Sequence, residues 1–242
     1  MRKLIQKIRS QIRLYALGLR YPKIAGTIRK VKQDHLTYLN FHELLNLTDI
    51  ALRIEKQKIP GAFIEAGCAR GGSAIVIAAS KQDKRAFFIY DTFEMIPPPS
   101  DADGEDAHKR YEVIAAHQSN GIQSSTYYGY IENLYEVVHN TFLEFGYPPQ
   151  EKNIHLVKGL FENTITIDGC VALAHLDCDW YDSVMVCLQR IEPHLSVGGT
   201  LIIDDYFHWS GSKKAVDDYF TPEKRANYTF TPSSHLLITR IK

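Results

Sequence analysis

The chain has 242 residues, of which 45% are hydrophobic and 23% are charged, and its 28 basic and 28 acidic side chains balance. This composition is typical of a globular protein, and the zero net charge gives no reason to expect a nucleic acid as a partner. The four cysteines lack the paired spacing of a zinc site, and no apolar run reaches the roughly 18 residues of a membrane-spanning helix, so we expect free thiols and a cytoplasmic location.

The N-terminal region is strongly basic, because residues 1–33 carry ten lysines or arginines and no acid. Five apolar residues in it recur at helical spacing: Ile5, Ile8, Ile12, Tyr15 and Leu19. This pattern predicts an amphipathic helical arm over residues 1–45. The arm could pack on its own domain or on a second subunit, dock on an anionic membrane surface, or serve as a transit peptide. We expect a homo-oligomer.

The rest of the chain alternates between strand and helix patterns. Apolar runs with strand character occupy residues 61–68, 85–93, 153–159, 171–177, 199–205, 228–232 and 235–242. Helical periodicity occupies residues 41–57, 71–80, 131–146, 183–195 and 213–220. We therefore predict one α/β domain over residues 46–242, with a doubly wound, mostly parallel sheet and an antiparallel C-terminal edge.

A proline-rich segment interrupts this alternation. Residues 94–110 contain three consecutive prolines followed by Asp and Gly, which oppose both helix and sheet. We predict that this segment is irregular.

A turn of small residues follows the first predicted strand in EAGCARGGS, residues 65–73. Asp91 comes about 25 residues later at the tip of the next strand, where a carboxylate can accept both hydroxyls of an adenosine ribose. The turn lacks the G-x-G-x-x-G spacing that a dinucleotide pyrophosphate prefers, and Glu65 would repel phosphate but attract a cation. S-adenosylmethionine, which carries an amino group and a sulfonium, therefore fits better than NAD.

Carboxylates also follow the fourth and fifth predicted strands, at Asp177 and at Asp204 with Asp205. If these strands are neighbours, the three acids meet at one rim and repel one another unless a cation lies between them. Oxygen ligands favour a hard ion, Mg²⁺ first and then Mn²⁺ or Ca²⁺. Asp179 lies slightly farther out, where it could accept the proton of a hydroxyl, and His208 is the rival base.

The stretches FIEAGCARGGSAI, DTFEMIPPPSDADG, LVKGLFENT, LDCDWYDS and GGTLIIDDYFHWSGSKKAVDDYF carry a resemblance. Together, over residues 60–220, they resemble the TylF/MycF/NovP family of Mg²⁺-dependent sugar O-methyltransferases. The resemblance implies a class I, Rossmann-like methyltransferase fold, a mobile lid near residues 94–125, and a glycosylated small-molecule acceptor. It implies that the metal ligands are Asp177, Asp204 and Asp205 and that Asp179 is the base. It also implies cofactor positions at Glu65, Gly67, Ser73 and Asp91, to which we add the neighbouring Gly72 and Thr92.

Three alternatives stay open at this point. The same architecture could serve a nicotinamide-dependent oxidoreductase, although the glycine spacing opposes that function. The acceptor could be a hydroxyl that is not on a sugar. A non-catalytic domain recruited by the basic arm would be expected to have damaged motifs, and these motifs look whole.

Overall fold

A seven-stranded sheet forms the centre of the protein in the computed structural model, which describes residues 2–242. The strands are β1 (Ala62–Ala66), β2 (Phe87–Asp91), β3 (Ile154–Lys158), β4 (Val171–Leu176), β5 (Leu195–Ile203), β6 (Tyr228–Pro232) and β7 (Leu236–Arg240). Their order is β3-β2-β1-β4-β5-β7-β6, with β1 to β5 parallel and β7 antiparallel to both neighbours. The predicted sheet, including its antiparallel edge, is confirmed.

Helices cover both faces of this sheet. They are α1 (Arg2–Arg20), α2 (Pro22–Gln33), α3 (Phe41–Lys56), α4 (Gly72–Ser80), α5 (Glu105–Ala115), α6 (Leu134–Glu144), α7 (Phe161–Thr164), α8 (Tyr181–Ile191), α9 (Ser210–Tyr219) and α10 (Pro222–Arg225). The predicted arm corresponds to α1, α2 and the start of α3, and its first residue, Met1, lies outside the described residues. Among the described residues, no helix combines the length and hydrophobicity needed to cross a membrane.

Alternate strand residues point into two separate cores, as the period of a strand requires. Phe63 of β1 belongs to the core formed with α2, α3 and α4, whereas its neighbour Ile64 belongs to the core formed with α8 and α9. Buried residues of α2, including Ile28 and Val31, join the first core. Residues 22–33 of the predicted arm therefore share their packing with the sheet domain.

The prediction that residues 94–110 are irregular is wrong for the last part of this segment, where α5 begins at Glu105. The proline and glycine signals extend only to Gly104, which caps the helix in an extended conformation. Glu105 and Asp106 then occupy the first turn, where acidic groups interact favourably with the helix dipole. Ala107 and Ile114 give the helix a buried face.

The apolar residues predicted to form the packed face of the arm are exposed. Leu14 is buried at 2% exposure and holds α1 against the domain, whereas Ile8 is 52% exposed and Leu19 is 74% exposed. Packing of that face on its own domain is therefore wrong, whereas its packing on a second subunit stays untested. The helical spacing was read correctly, but the side that packs is the opposite one.

Candidate active site

The ends of β1, β2 and β4 meet at Gly67. Its backbone N–H donates to the Tyr90 carbonyl at 2.9 Å, and the Asp177 N–H donates to the Ala66 carbonyl at 2.9 Å. Gly67 has φ = 87°, and a Cβ there would overlap the Asp177 carbonyl oxygen. Glycine is therefore required at this point for both its backbone conformation and its close approach.

Asp91 holds the loop after β1 against the end of β2. One carboxylate oxygen accepts hydrogen bonds from the backbone N–H groups of Cys68 at 2.7 Å and Ala69 at 3.1 Å, and the other accepts from Phe93 at 2.7 Å. Burial raises the pKa of Asp91, and these three donors oppose that shift. Each carboxylate oxygen has two lone-pair sites, so Asp91 retains capacity to accept a ligand hydroxyl.

Glu65 is fully buried beneath this loop. Its Oε1 accepts a hydrogen bond from the Ser73 hydroxyl at 2.5 Å, and its Oε2 lies 3.2 Å from Nδ1 of His175. Gly72, next to Ser73, packs against the chain before α3, because a Cβ there would lie 2.6 Å from the Leu36 carbonyl oxygen. Glu65 and Gly72 therefore support the site from behind.

Three carboxylates, those of Asp177, Asp179 and Asp205, form what we call the acid cluster, with oxygens all within 4.8 Å of one another. Asp179 has a left-handed backbone, φ = 58°, which is uncommon outside glycine but tolerated by Asp. Oδ2 of Asp205 is buried and has no hydrogen-bond partner among the described residues. The cluster thus concentrates negative charge, and one of its buried oxygens has no protein donor among the described residues.

Burial raises the pKa of each member of the acid cluster. The pKa values of Asp177 and Asp205 lie well above the usual range, because burial raises them and the neighbouring carboxylates add to that effect. A cation placed among these oxygens would reverse that shift and keep all three ionised.

Asp204 has a different environment, which the sequence did not reveal. Its Oδ1 lies 3.4 Å from Nε2 of His175 and 2.9 Å from Nε2 of His235, and both imidazoles are buried. Burial by itself would raise the pKa of Asp204, but the two imidazoles hold it well below the usual value. For His175 the signs are reversed: burial would lower its pKa, but Glu65 and Asp204 raise it well above its usual value.

Two cavities open at this rim, with volumes of about 600 Å³ and about 500 Å³. Both are lined by Gly67, Asp91, Tyr128, Asp177 and Asp179. The two cavities therefore meet beside the acid cluster, which is the arrangement that a reaction between two separately bound molecules requires.

The larger cavity is lined by Thr92 and by apolar side chains that include Leu160 and Phe161. The smaller one is lined by Ser73, Asp204, Asp205 and His208. The His208 side chain is 61% exposed, and its Nδ1 lies 3.9 Å from Oδ1 of Asp205. His208 is thus at the open edge of the smaller cavity, whereas Asp179 lies where the cavities meet.

Residues 95–130 form the outer wall of the site. The Trp180 indole donates to the Pro97 carbonyl at 2.9 Å, and the Asp103 carboxylate accepts from the Tyr181 backbone at 2.7 Å. Ile114 and Tyr127 pack with Trp180 in a small core of their own. The segment has the position of a lid, and its mobility stays a prediction.

Comparisons with known proteins identify the family of this chain. A family model described as macrocin-O-methyltransferase (TylF) matches residues 29–228. The 8-demethyl-8-(2,3-dimethoxy-alpha-L-rhamnosyl)-tetracenomycin-C 4'-O-methyltransferase of Streptomyces olivaceus is 29% identical over 209 residues, 84% of this chain and 70% of that protein. The demethyldecarbamoylnovobiocin O-methyltransferase of Streptomyces niveus is 27% identical over 190 residues, 76% of this chain and 67% of that protein.

A solved structure also shares the fold. The structure of the O-methyltransferase NovP superimposes with a TM-score of 0.69 at 22% identity, covering 86% of this chain and 83% of that chain. The family match confirms the resemblance stated from the sequence and replaces the nicotinamide-dependent alternative. The chain belongs to the macrocin O-methyltransferase (TylF) family and is an S-adenosylmethionine-dependent O-methyltransferase.

Proposed function

We propose that the acceptor is a hydroxyl on the sugar of a glycosylated small molecule, and that a divalent cation, Mg²⁺ first, assists the transfer. The names of the relatives support the first part, since one acts on a rhamnosyl tetracenomycin and another on a novobiocin precursor. The observation that carries the proposal is the junction of two cavities at the acid cluster. A hydroxyl and a methyl donor can meet there, next to carboxylates.

The larger cavity is our proposed cofactor site. Asp91 would accept the ribose hydroxyls there, and Thr92 lies beside it. Gly67, which lines both cavities, would bring the backbone close to the ligand. The methionine portion would extend into the adjoining smaller cavity, where the hydroxyl of Ser73, bonded to the buried Glu65 behind it, would lie near the amino group. Gly72, next to Ser73, would keep the start of α4 close to the chain before α3.

The residues present fit a hard divalent cation. The donors are carboxylate oxygens, the oxygens of the acid cluster lie within 4.8 Å of one another, and Oδ2 of Asp205 has no other partner among the described residues. We propose Asp177, Asp204 and Asp205 as the ligands, as the sequence predicted. The structure groups the oxygens of Asp177 and Asp205 with Asp179 rather than with Asp204, whose Oδ1 lies against His175 and His235. Such an ion, when bound, would acidify the acceptor hydroxyl and attract it to this rim.

Asp179 is the proposed general base. Its carboxylate lines both cavities, and a bound cation would keep it ionised and therefore able to accept a proton. His208 is largely exposed and does not line the larger cavity. Holding the acceptor oxygen in line with the methyl carbon would supply a large further part of the acceleration, about 7 to 11 kcal/mol in well-aligned cases.

The first test is calorimetric titration of the purified protein with S-adenosylhomocysteine and, separately, NAD⁺, each with Mg²⁺ and with a chelator. We expect S-adenosylhomocysteine to bind and NAD⁺ not to bind. Acceptors are then compared by mass spectrometry, with glycosides bearing free sugar hydroxyls set against their aglycones. Methylation of the aglycone but never of the sugar would contradict the sugar acceptor, and full activity in chelator would contradict the metal.

Two further expectations from the sequence belong to this proposal. We propose a homo-oligomer, which light scattering of the purified full-length protein would test. We also propose a cytoplasmic location, which fractionation of the producing cells would test by comparing the cell interior with the surrounding medium.

A further inference from the structure

Helix α1 has two faces with different environments. Ser10 and Leu14 are buried against the domain at 4% and 2% exposure. On the other side lies what we call the apolar stripe: Ile5, Ile8, Ile12, Tyr15 and Leu19, which are 44%, 52%, 63%, 67% and 74% exposed. At about 100° per residue, these five side chains fall within an arc of about 80°, directly opposite the buried face. The stripe therefore faces away from the domain.

Basic side chains accompany the apolar stripe. Arg9 and Arg20 are exposed on α1 at about 80° and about 100° from the centre of the stripe, and no acid occurs anywhere in residues 1–33. Arg13 is not part of this set, because it forms an ion pair with Asp49 of α3 at 2.7 Å. An apolar stripe with unbalanced cations on a surface helix is the pattern of helices that lie in a membrane interface.

A second copy of the arm is a poor partner for this face. A two-fold contact between two stripes would bring the flanking arginines of one arm close to those of the other. Residues 1–33 contain no acid to pair with them. Like charges brought together at an interface are unfavourable, whereas phosphate groups of lipids would pair with each cation. Charge complementarity thus favours an anionic lipid surface.

We propose that α1 docks this enzyme on an anionic membrane surface, with the apolar stripe inserted among the lipid headgroups and the cations on the phosphates. The inference rests on the arm alone and does not depend on the acceptor or the metal. Each lysine or arginine near such a surface strengthens binding by about fivefold, and added salt weakens that contribution. Binding should therefore require both anionic lipid and the stripe.

The test is co-sedimentation of the full-length protein with phosphatidylcholine vesicles that either contain or lack phosphatidylglycerol. We compare the wild type with Ile8→Gln/Ile12→Gln in the stripe and with Arg9→Gln/Arg20→Gln beside it. The matched control is Val137→Gln/Leu143→Gln, which replaces two exposed apolar residues of α6. Thermal melting checks that every variant is folded.

We expect the wild type to bind anionic vesicles at least tenfold more strongly than neutral ones, and both α1 variants to lose at least tenfold of that binding. The control should bind like the wild type. Three results would each overturn the proposal: wild-type binding that is as strong to neutral as to anionic vesicles, a loss of binding in the control as large as in the α1 variants, or no vesicle binding by the folded wild type. Conversion of an oligomer to monomers by Ile8→Gln/Ile12→Gln, without any vesicle binding by the wild type, would assign the stripe to a second copy.

Discussion

Replacing Asp205 by Asn should stabilise the metal-free protein. The three oxygens of the acid cluster lie within 4.8 Å of one another, and two unit charges at that separation repel by about 3.5 kcal/mol at an effective dielectric constant of about 20. Protonation relieves part of this repulsion, so we expect a gain of about 1 to 3 kcal/mol. The new amide can donate to the neighbouring carboxylates. For a chain of this size, the gain corresponds to a rise in Tm of about 2 to 8 °C.

The sign of the pH dependence follows from the raised pKa values of the acid cluster. Above the usual aspartate pKa of 3.8, the folded state binds more protons than the unfolded state. The contribution of these groups to the free energy of unfolding is therefore complete below about pH 4 and is lost as the pH rises through their raised pKa values. Asp205→Asn should reduce this loss, and Mg²⁺ should reverse it in the wild type.

The assay is thermal melting at about pH 6 and about pH 8, with Mg²⁺ or with a chelator. The matched control is Asp218→Asn, which removes an exposed carboxylate that pairs with Lys214 at 2.6 Å. Surface pairs contribute little, so this variant should change the Tm slightly and leave the response to Mg²⁺ intact. A lower Tm for Asp205→Asn in chelator, together with no effect of Mg²⁺ on the wild type, would refute both the repulsion and the cation site.

Three further substitutions test the cofactor and base assignments. Gly67→Ala should lower the Tm by several degrees and abolish S-adenosylhomocysteine binding. The control is Gly146→Ala, which has φ = 73° but no atom within 4 Å of the added Cβ and should lower the free energy of unfolding by only about 1 kcal/mol. Similar melting curves for the two variants would contradict the steric overlap at Gly67. Asp91→Asn should raise the calorimetric Kd by about tenfold or more, and an unchanged Kd would remove its ribose role. Asp179→Asn should lower kcat by about 100-fold with cofactor affinity retained, whereas a comparable loss only in His208→Asn would reassign the base.

The parallel part of the sheet could be predicted from the sequence because each of β1 to β5 is a short apolar run that ends at or directly before a glycine or an acid. The residues of the rim were found for the same reason, since Asp91 and Asp177 directly follow such runs. Helix α5 was missed because the three prolines before it indicate irregular structure for the whole segment. Its helical signal consists only of Glu105 and Asp106 in the first turn and a narrow buried face.

The two histidines beside Asp204 could not be placed from the sequence. His175 lies inside an otherwise apolar strand, which marks it as unusual, but the strand register alone pairs it with Glu65. His235 precedes β7 and reaches the rim only because β7 lies next to β5. That adjacency is a property of the sheet order, which local periodicity does not encode.

The surroundings of Asp204 connect the cofactor half of the site to the acid cluster. His175 lies between Glu65, which contacts Ser73, and Asp204 at the rim, so one imidazole serves two acids. Together with the acid cluster, these acids leave an excess of negative charge beside the junction of the cavities. A divalent cation and the sulfonium of S-adenosylmethionine both reduce that excess, whereas the neutral thioether of S-adenosylhomocysteine does not. If the proposed sites are correct, we expect the rim to favour the charged methyl donor over the spent cofactor, which would assist product release after each transfer.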